Sequence, residues 1–192
     1  MDDKETLLDY LRAQRAGLLS KLDGLGEYEI RRPMTSTGTN LLGLVKHVAS
    51  VQLEYFGLVF GRPCDRELPW LADDAETNAD MWATPQETRE MIVDLHRYSA
   101  EHSDATITAL PLDAPGEVPW WGDERHVTLH QILVHVCAET ARHAGHADIV
   151  RELIDGAVGR RPDDPNIPEI DWPAYRSRLE AAAQAAAGPT RP

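Results

Sequence analysis

The segment from Thr128 to Gly156 sets the scale of any fold this chain can adopt. Thr128 and Gln131 form a capping-box pattern and Gly156 supplies a stop, so the spacing predicts one helix ending at about Asp155 and roughly 40 Å long. Three other segments show helical periodicity. A first helix is predicted over about Lys4 to Leu22, capped by Asp2 or Asp3, with Leu7, Leu8, Leu11, Leu18, Leu19 and Leu22 as its apolar stripe. After the linker GEYEIRRPMTSTGTN, where Pro33 and Gly38 argue against regular structure, a second helix spans about Asn40 to Phe60 and stops at Gly61-Arg62-Pro63. Residues 63–83 read as a long polar connection holding Trp70 and Trp82. Thr84-Pro85-Gln86-Glu87 has the form of a helix start, and a third helix is predicted from there to about Ala109. A second connection contains Val118-Pro119-Trp120-Trp121-Gly122. Four amphipathic helices with almost no alternating strand pattern give an all-α fold, a bundle over 1–156. Residues 157–192 read as a C-terminal extension, with a short helix from Pro173 to Ala187 and a frayed GPTRP end.

Charge narrows the function classes. Lys and Arg number 19 against 32 Asp and Glu in 192 residues, a net charge of −13, and a phosphate backbone is repelled by that field. No nucleic-acid partner is expected, and no apolar run approaches a membrane span. The acidic, amphipathic MDDKETLLDY start is unlike a signal peptide, so the expected compartment is the cytoplasm. Cys64 and Cys137 are too few for a disulfide framework or a CxxC zinc site.

Five of the eight histidines lie between positions 126 and 146. On the fourth helix His135, Glu139, His143 and His146 fall within an arc of about 80° and project from one face. Ile132, Val150 and Leu153 share that face, so the row is expected to point inward, where ionisable groups are costly unless paired or metal-bound. On the second helix His47 sits amid Leu44, Val51 and Leu58, while Lys46 and Ser50 point elsewhere. A first shell built from His47 and the fourth-helix ligands is one reading; a buried histidine–glutamate hydrogen-bond network without metal is the other. Glu54, two turns beyond His47, and His146 are candidate bases. Trp120 and Trp121 are candidates for stacking on a substrate or roofing a pocket, with simple packing as the alternative. Cys137 reads as a buried small hydrophobe and Cys64 as a loop thiol beside Arg62 and Arg66. His96, His102, His126 and His130 are expected at the surface or in caps, and His135 is expected to pack or orient.

The segments LLGLVKHVASVQLEYF, VPWWGDERHVTLHQILVHV and ETARHAGHADIVRELIDG resemble the DinB superfamily, from the first helix to Gly156. The resemblance is nearest to an actinobacterial-type subgroup without assigned activity. It implies an up-down-down-up four-helix bundle that binds one divalent metal through a second-helix residue and a pair on the last helix. Carried over, these are His47, Glu139 and His143, with Ala144-Gly145 following as in the family. Glu139 in place of histidine resembles mycothiol-dependent maleylpyruvate isomerases. His146 falls where the broader family usually has Gln, as an extra ligand, an orienting partner or a proton shuttle. Three protein ligands leave positions open, as in catalytic metal sites. The anionic Glu139 favours Mn²⁺, Ni²⁺ or Fe²⁺ over an all-imidazole preference, and Zn²⁺ also fits. The resemblance implies a metal-dependent transferase or isomerase that uses a low-molecular-weight thiol on a small electrophile. A metal-dependent hydrolase and a non-catalytic metal- or ligand-binding protein are the alternatives, and a homodimer is a further expectation.

Overall fold

The computed structural model describes residues 2–161 and 166–188. Four long helices carry the fold: α1 (Asp3–Ser20), α3 (Leu41–Phe56), α4 (Arg89–Ala109) and α5 (Leu129–Asp155), with a short α2 (Glu27–Arg31) and a terminal α6 (Trp172–Ala187). Each long helix starts on a side-chain cap. Asp2 closes a full capping box with Glu5, while Asn40, Thr88 and Thr128 each accept from the backbone N–H three residues on. Gly156, at φ 77°, ends α5 in the left-handed conformation that glycine tolerates best.

Helix directions follow from the cross-contacts. Cys137 reaches the Leu7 carbonyl and Arg151 the Lys21 carbonyl, so α1 and α5 run parallel. Lys4 meets Leu110 while Arg15 meets Asp104, so α1 and α4 are antiparallel. His47 faces Glu139 and Tyr55 faces His135, so α3 and α5 are antiparallel as well. The result is an up-down-down-up bundle. Joining the parallel pair α3 and α4 forces the chain back along the bundle, and residues 57–88 make that return. The core comprises two main apolar clusters, one around Leu11, Phe56, Ile107, Ile132 and Val136, the other around Leu18, Leu42, Val45, Ile92 and Val150.

The structure departs from the sequence expectations in several places. Thr84 does not cap α4; Glu87 folds back to accept from the Thr84 N–H, and the helix starts one turn later on Thr88. The 27–31 stretch of the first linker is a turn of helix. The connection before α5 forms an antiparallel hairpin, β1 (Pro115–Glu117) with β2 (His126–Thr128). Lys46 and Ser50 are buried, because the 57–88 return covers the side of α3 that a two-helix view leaves open. Leu153, expected inward, is 61% exposed because the end of α5 turns Val150 and Ile154 to the core instead. His96 is buried, not superficial. Of the frayed end, residues 189–192 lie outside those described.

Candidate metal centre

Three ligand-type side chains converge where α3 crosses α5. His47, Glu139 and His143 each offer an atom within 4.8 Å of the others. One carboxylate oxygen is the focus: Glu139 Oε1 lies 2.9 Å from His143 Nε2 and 3.6 Å from His47 Nε2. The two imidazole rings stand edge to face, with centroids 4.7 Å apart. All three groups are half-buried or deeper.

The far side of each imidazole is also engaged. His47 Nδ1 is 2.5 Å from Asp80 Oδ2, and His143 Nδ1 is 3.4 Å from His146 Nδ1. A carboxylate can only accept, so Nδ1 of His47 carries the proton and a neutral ring presents its Nε2 lone pair towards Glu139. A lone pair facing a carboxylate is repulsive unless a cation lies between them. The arrangement therefore fits either a second proton on His47 or a metal ion. It is also the usual way a ligating histidine is oriented, its other nitrogen bonded to a carboxylate. Two imidazoles and a carboxylate suit a first-row divalent ion.

The titration tendencies agree with this layout. Burial works to lower the pKa of His47, but Asp80 and Glu139 outweigh it and raise it. Burial and the neighbouring His47 hold His143 below the ordinary histidine value, against the pull of Glu139, which keeps its nitrogens available. Burial would raise Glu139, yet the two histidines bring it below the usual carboxylate range. Glu54 goes the other way, raised by burial and by the charge of Asp80, and it has no hydrogen-bond partner among the described residues.

Asp80 had no signal in the sequence; it is one acid among many in a polar connection. Packing places it. The 3-10 turn Ala79–Met81 lies so close on α3 that a Cβ at Gly43 would stand 1.8 Å from the Met81 carbonyl oxygen. The buried Lys46 ammonium ties down both ends of this strap, donating to Ala79 O at 2.9 Å and Trp82 O at 3.0 Å, and pairs with Glu87 at 2.7 Å. Its third face lies 4.1 Å from the Trp70 ring centre. Asn40 adds a bond to Met81 O. A glycine and a buried lysine on α3 thus hold the carboxylate that orients the next residue, His47.

The remaining candidates divide. His146 stands behind His143 and is outside the three-residue group. Trp120 and Trp121 meet over Tyr55, each indole donating to its hydroxyl, at 3.3 and 3.1 Å. His135 packs 4.9 Å from both Tyr55 and Trp121. Neither cysteine faces the centre. Burial pushes the Cys137 thiol up to about 11, and it bonds to the Leu7 carbonyl. Cys64 bonds to the Arg66 carbonyl, while Arg62 is taken by Thr106 and Arg66 by Asp94.

Fold and site together define a DinB-like helical bundle with a His–Glu–His cluster. The chain belongs to the mycothiol-S-transferase family, whose model matches residues 6–156. Among solved structures it is similar to a conserved protein from Enterococcus faecalis, with a TM-score of 0.60 and 15% identity over 82% of this chain and 99% of that one. At that identity the likeness concerns the fold alone. No curated protein matches the chain. No helix among the described residues is long and apolar enough to cross a membrane.

Proposed function

We propose that His47, Glu139 and His143 hold one divalent metal, and that the protein joins a mycothiol-type thiol, through its sulfur, to a small electrophile. The observation that carries this reading is the pair of imidazole Nε2 atoms turned on one carboxylate oxygen, with Asp80 fixing the tautomer behind His47. The family to which the chain belongs supports the choice of thiol. A metal bound there would hold the thiol as its thiolate near neutral pH, the form that attacks.

The residues around the centre account for the rest. Asp80 and His146 keep His47 and His143 aimed. Glu54, its pKa raised by burial and by the charge of Asp80 and with no hydrogen-bond partner among the described residues, accepts the proton the thiol gives up. The sulfur then forms its bond to the electrophilic carbon, and the leaving group departs with the electrons of the bond that breaks. Trp120 and Trp121 supply an aromatic wall beyond the centre. Cys137, its thiol turned to the Leu7 carbonyl and pushed up to about 11 by burial, takes no part in this step.

The test is conversion of chlorodinitrobenzene with mycothiol by zinc-, manganese- and nickel-loaded protein, read by mass spectrometry. A thioether product that vanishes in His143→Ala and with chelator is expected. A dinitrophenol product would mark hydrolysis instead. Full metal loading without turnover of any thiol would leave a binding protein.

A further inference from the structure

Tyr55 holds a hydrogen-bond donor that none of the described residues receives. Indole N–H groups only donate, so the phenol oxygen accepts from both Trp120 and Trp121. With its acceptor capacity filled, Tyr55 can use its own O–H only as a donor, and no acceptor for it exists among the described residues. The residue is 8% exposed and the two bonds at its hydroxyl are only part-buried, so the O–H can be reached by an acceptor entering from the side of Trp120. Its ring packs on His135, and Trp120 reaches the rim, 46% exposed.

Position gives this donor a partner. Tyr55 lies eight residues beyond His47 on α3, and His135 eight residues before His143 on the antiparallel α5. Both offsets amount to roughly 12 Å along the helices. The strip between the helices thus has the candidate metal centre at one end, Glu54 along the way, and the Tyr55–Trp120–Trp121 group at the other. We infer that Tyr55 donates to an oxygen of the thiol scaffold whose sulfur sits at the His47–Glu139–His143 centre. The inference rests on the proposed thiol chemistry and adds to it a second contact that selects long, oxygen-bearing thiols over short ones. Two indole N–H groups on the phenol oxygen polarise its O–H and strengthen that bond.

The test uses cobalt-loaded protein and the thiolate-to-cobalt absorption as a binding readout, with two probes. Mycothiol carries oxygen groups away from its sulfur; cysteamine carries none. In Tyr55→Phe, mycothiol affinity is expected to fall about three- to tenfold, the loss of one neutral hydrogen bond, with cysteamine affinity and cobalt content unchanged. An equal loss for both thiols would reduce Tyr55 to a packing role, and no loss for either would also overturn the inference. If Tyr55→Phe loses its helical signal, Trp120→Phe replaces it, with the same selective loss at about two- to threefold. Failure of wild-type protein to bind either thiol would sink the thiol reading as well, whereas wild-type binding with an indifferent Tyr55→Phe sinks only this inference.

Discussion

Replacing Asp80 by Asn should separate the metal reading from a metal-free network. The substitution keeps the side chain's size but removes its charge, and the amide can turn a donor towards His47 Nδ1. The Asp80–His47 bond is short, at 2.5 Å, and its side chains are only 20% and 18% exposed. A charge-assisted bond in such a setting contributes about 1.5–3 kcal/mol. Part of that remains without metal, because the pair also exists in the apo protein. The share felt by the ion corresponds to about a 10–100-fold loss of affinity, the range for partners that orient a ligating histidine. Competition against a chelator of known affinity reads this directly, with circular dichroism confirming that the helices persist. Zinc affinity within twofold of wild type in Asp80→Asn would refute the claim that Nε2 of His47 is the ligand.

The strap that carries Asp80 makes a second prediction. Gly43→Ala would place a methyl 1.8 Å from Met81 O, so the strap must lift; a stability loss of about 1–3 kcal/mol and a metal-affinity loss like that of Asp80→Asn are expected from urea titration and chelator competition. A fully stable variant with intact affinity would show that the close approach is not required. His96 supplies the pH prediction. Burial, together with the nearby Arg15, lowers it to about 4, so it stays neutral in the fold while the unfolded residue takes up a proton below about 6.5. Stability is therefore present above pH 6.5 and is lost as pH falls towards 4, by about 3 kcal/mol in all. His96→Leu should remove this slope, seen as urea midpoints at pH 7 and 4.5, and should be more stable at pH 7, because Nε2 is buried without a partner among the described residues. An unchanged slope in His96→Leu would assign the acid sensitivity to other groups.

The bundle was legible because its signals are local. Capping residues marked the starts of α1, α3 and α5 almost to the residue, although α3 stops at Phe56 and not at the expected Phe60, and the spacing of Glu139 and His143 placed both on one face. Thr84 misled because a capping pattern describes a local turn equally well, and only packing decides whether a helix continues from it. Burial of Lys46 and His96 could not be read either. Both depend on which side of a helix the 57–88 return and α1 come to cover, a long-range fact that periodicity within one helix does not contain. Asp80 was invisible for the same reason: Gly43 and Lys46 bring it to His47 through contacts more than thirty residues apart in sequence. Tyr55 carried no signal of its own in the sequence, and only the two indole bonds on its hydroxyl distinguish it.

Elemental analysis of protein purified without an affinity tag or chelator, wild type beside His47→Ala, tests the central claim most directly. About one equivalent of a first-row divalent metal in wild type, lost in the variant while the helical signal remains, is the predicted result. Wild type that stays metal-free after incubation with zinc, nickel, manganese and iron would contradict it, leaving a protonated His47 bridging Asp80 and Glu139 as what the cluster holds.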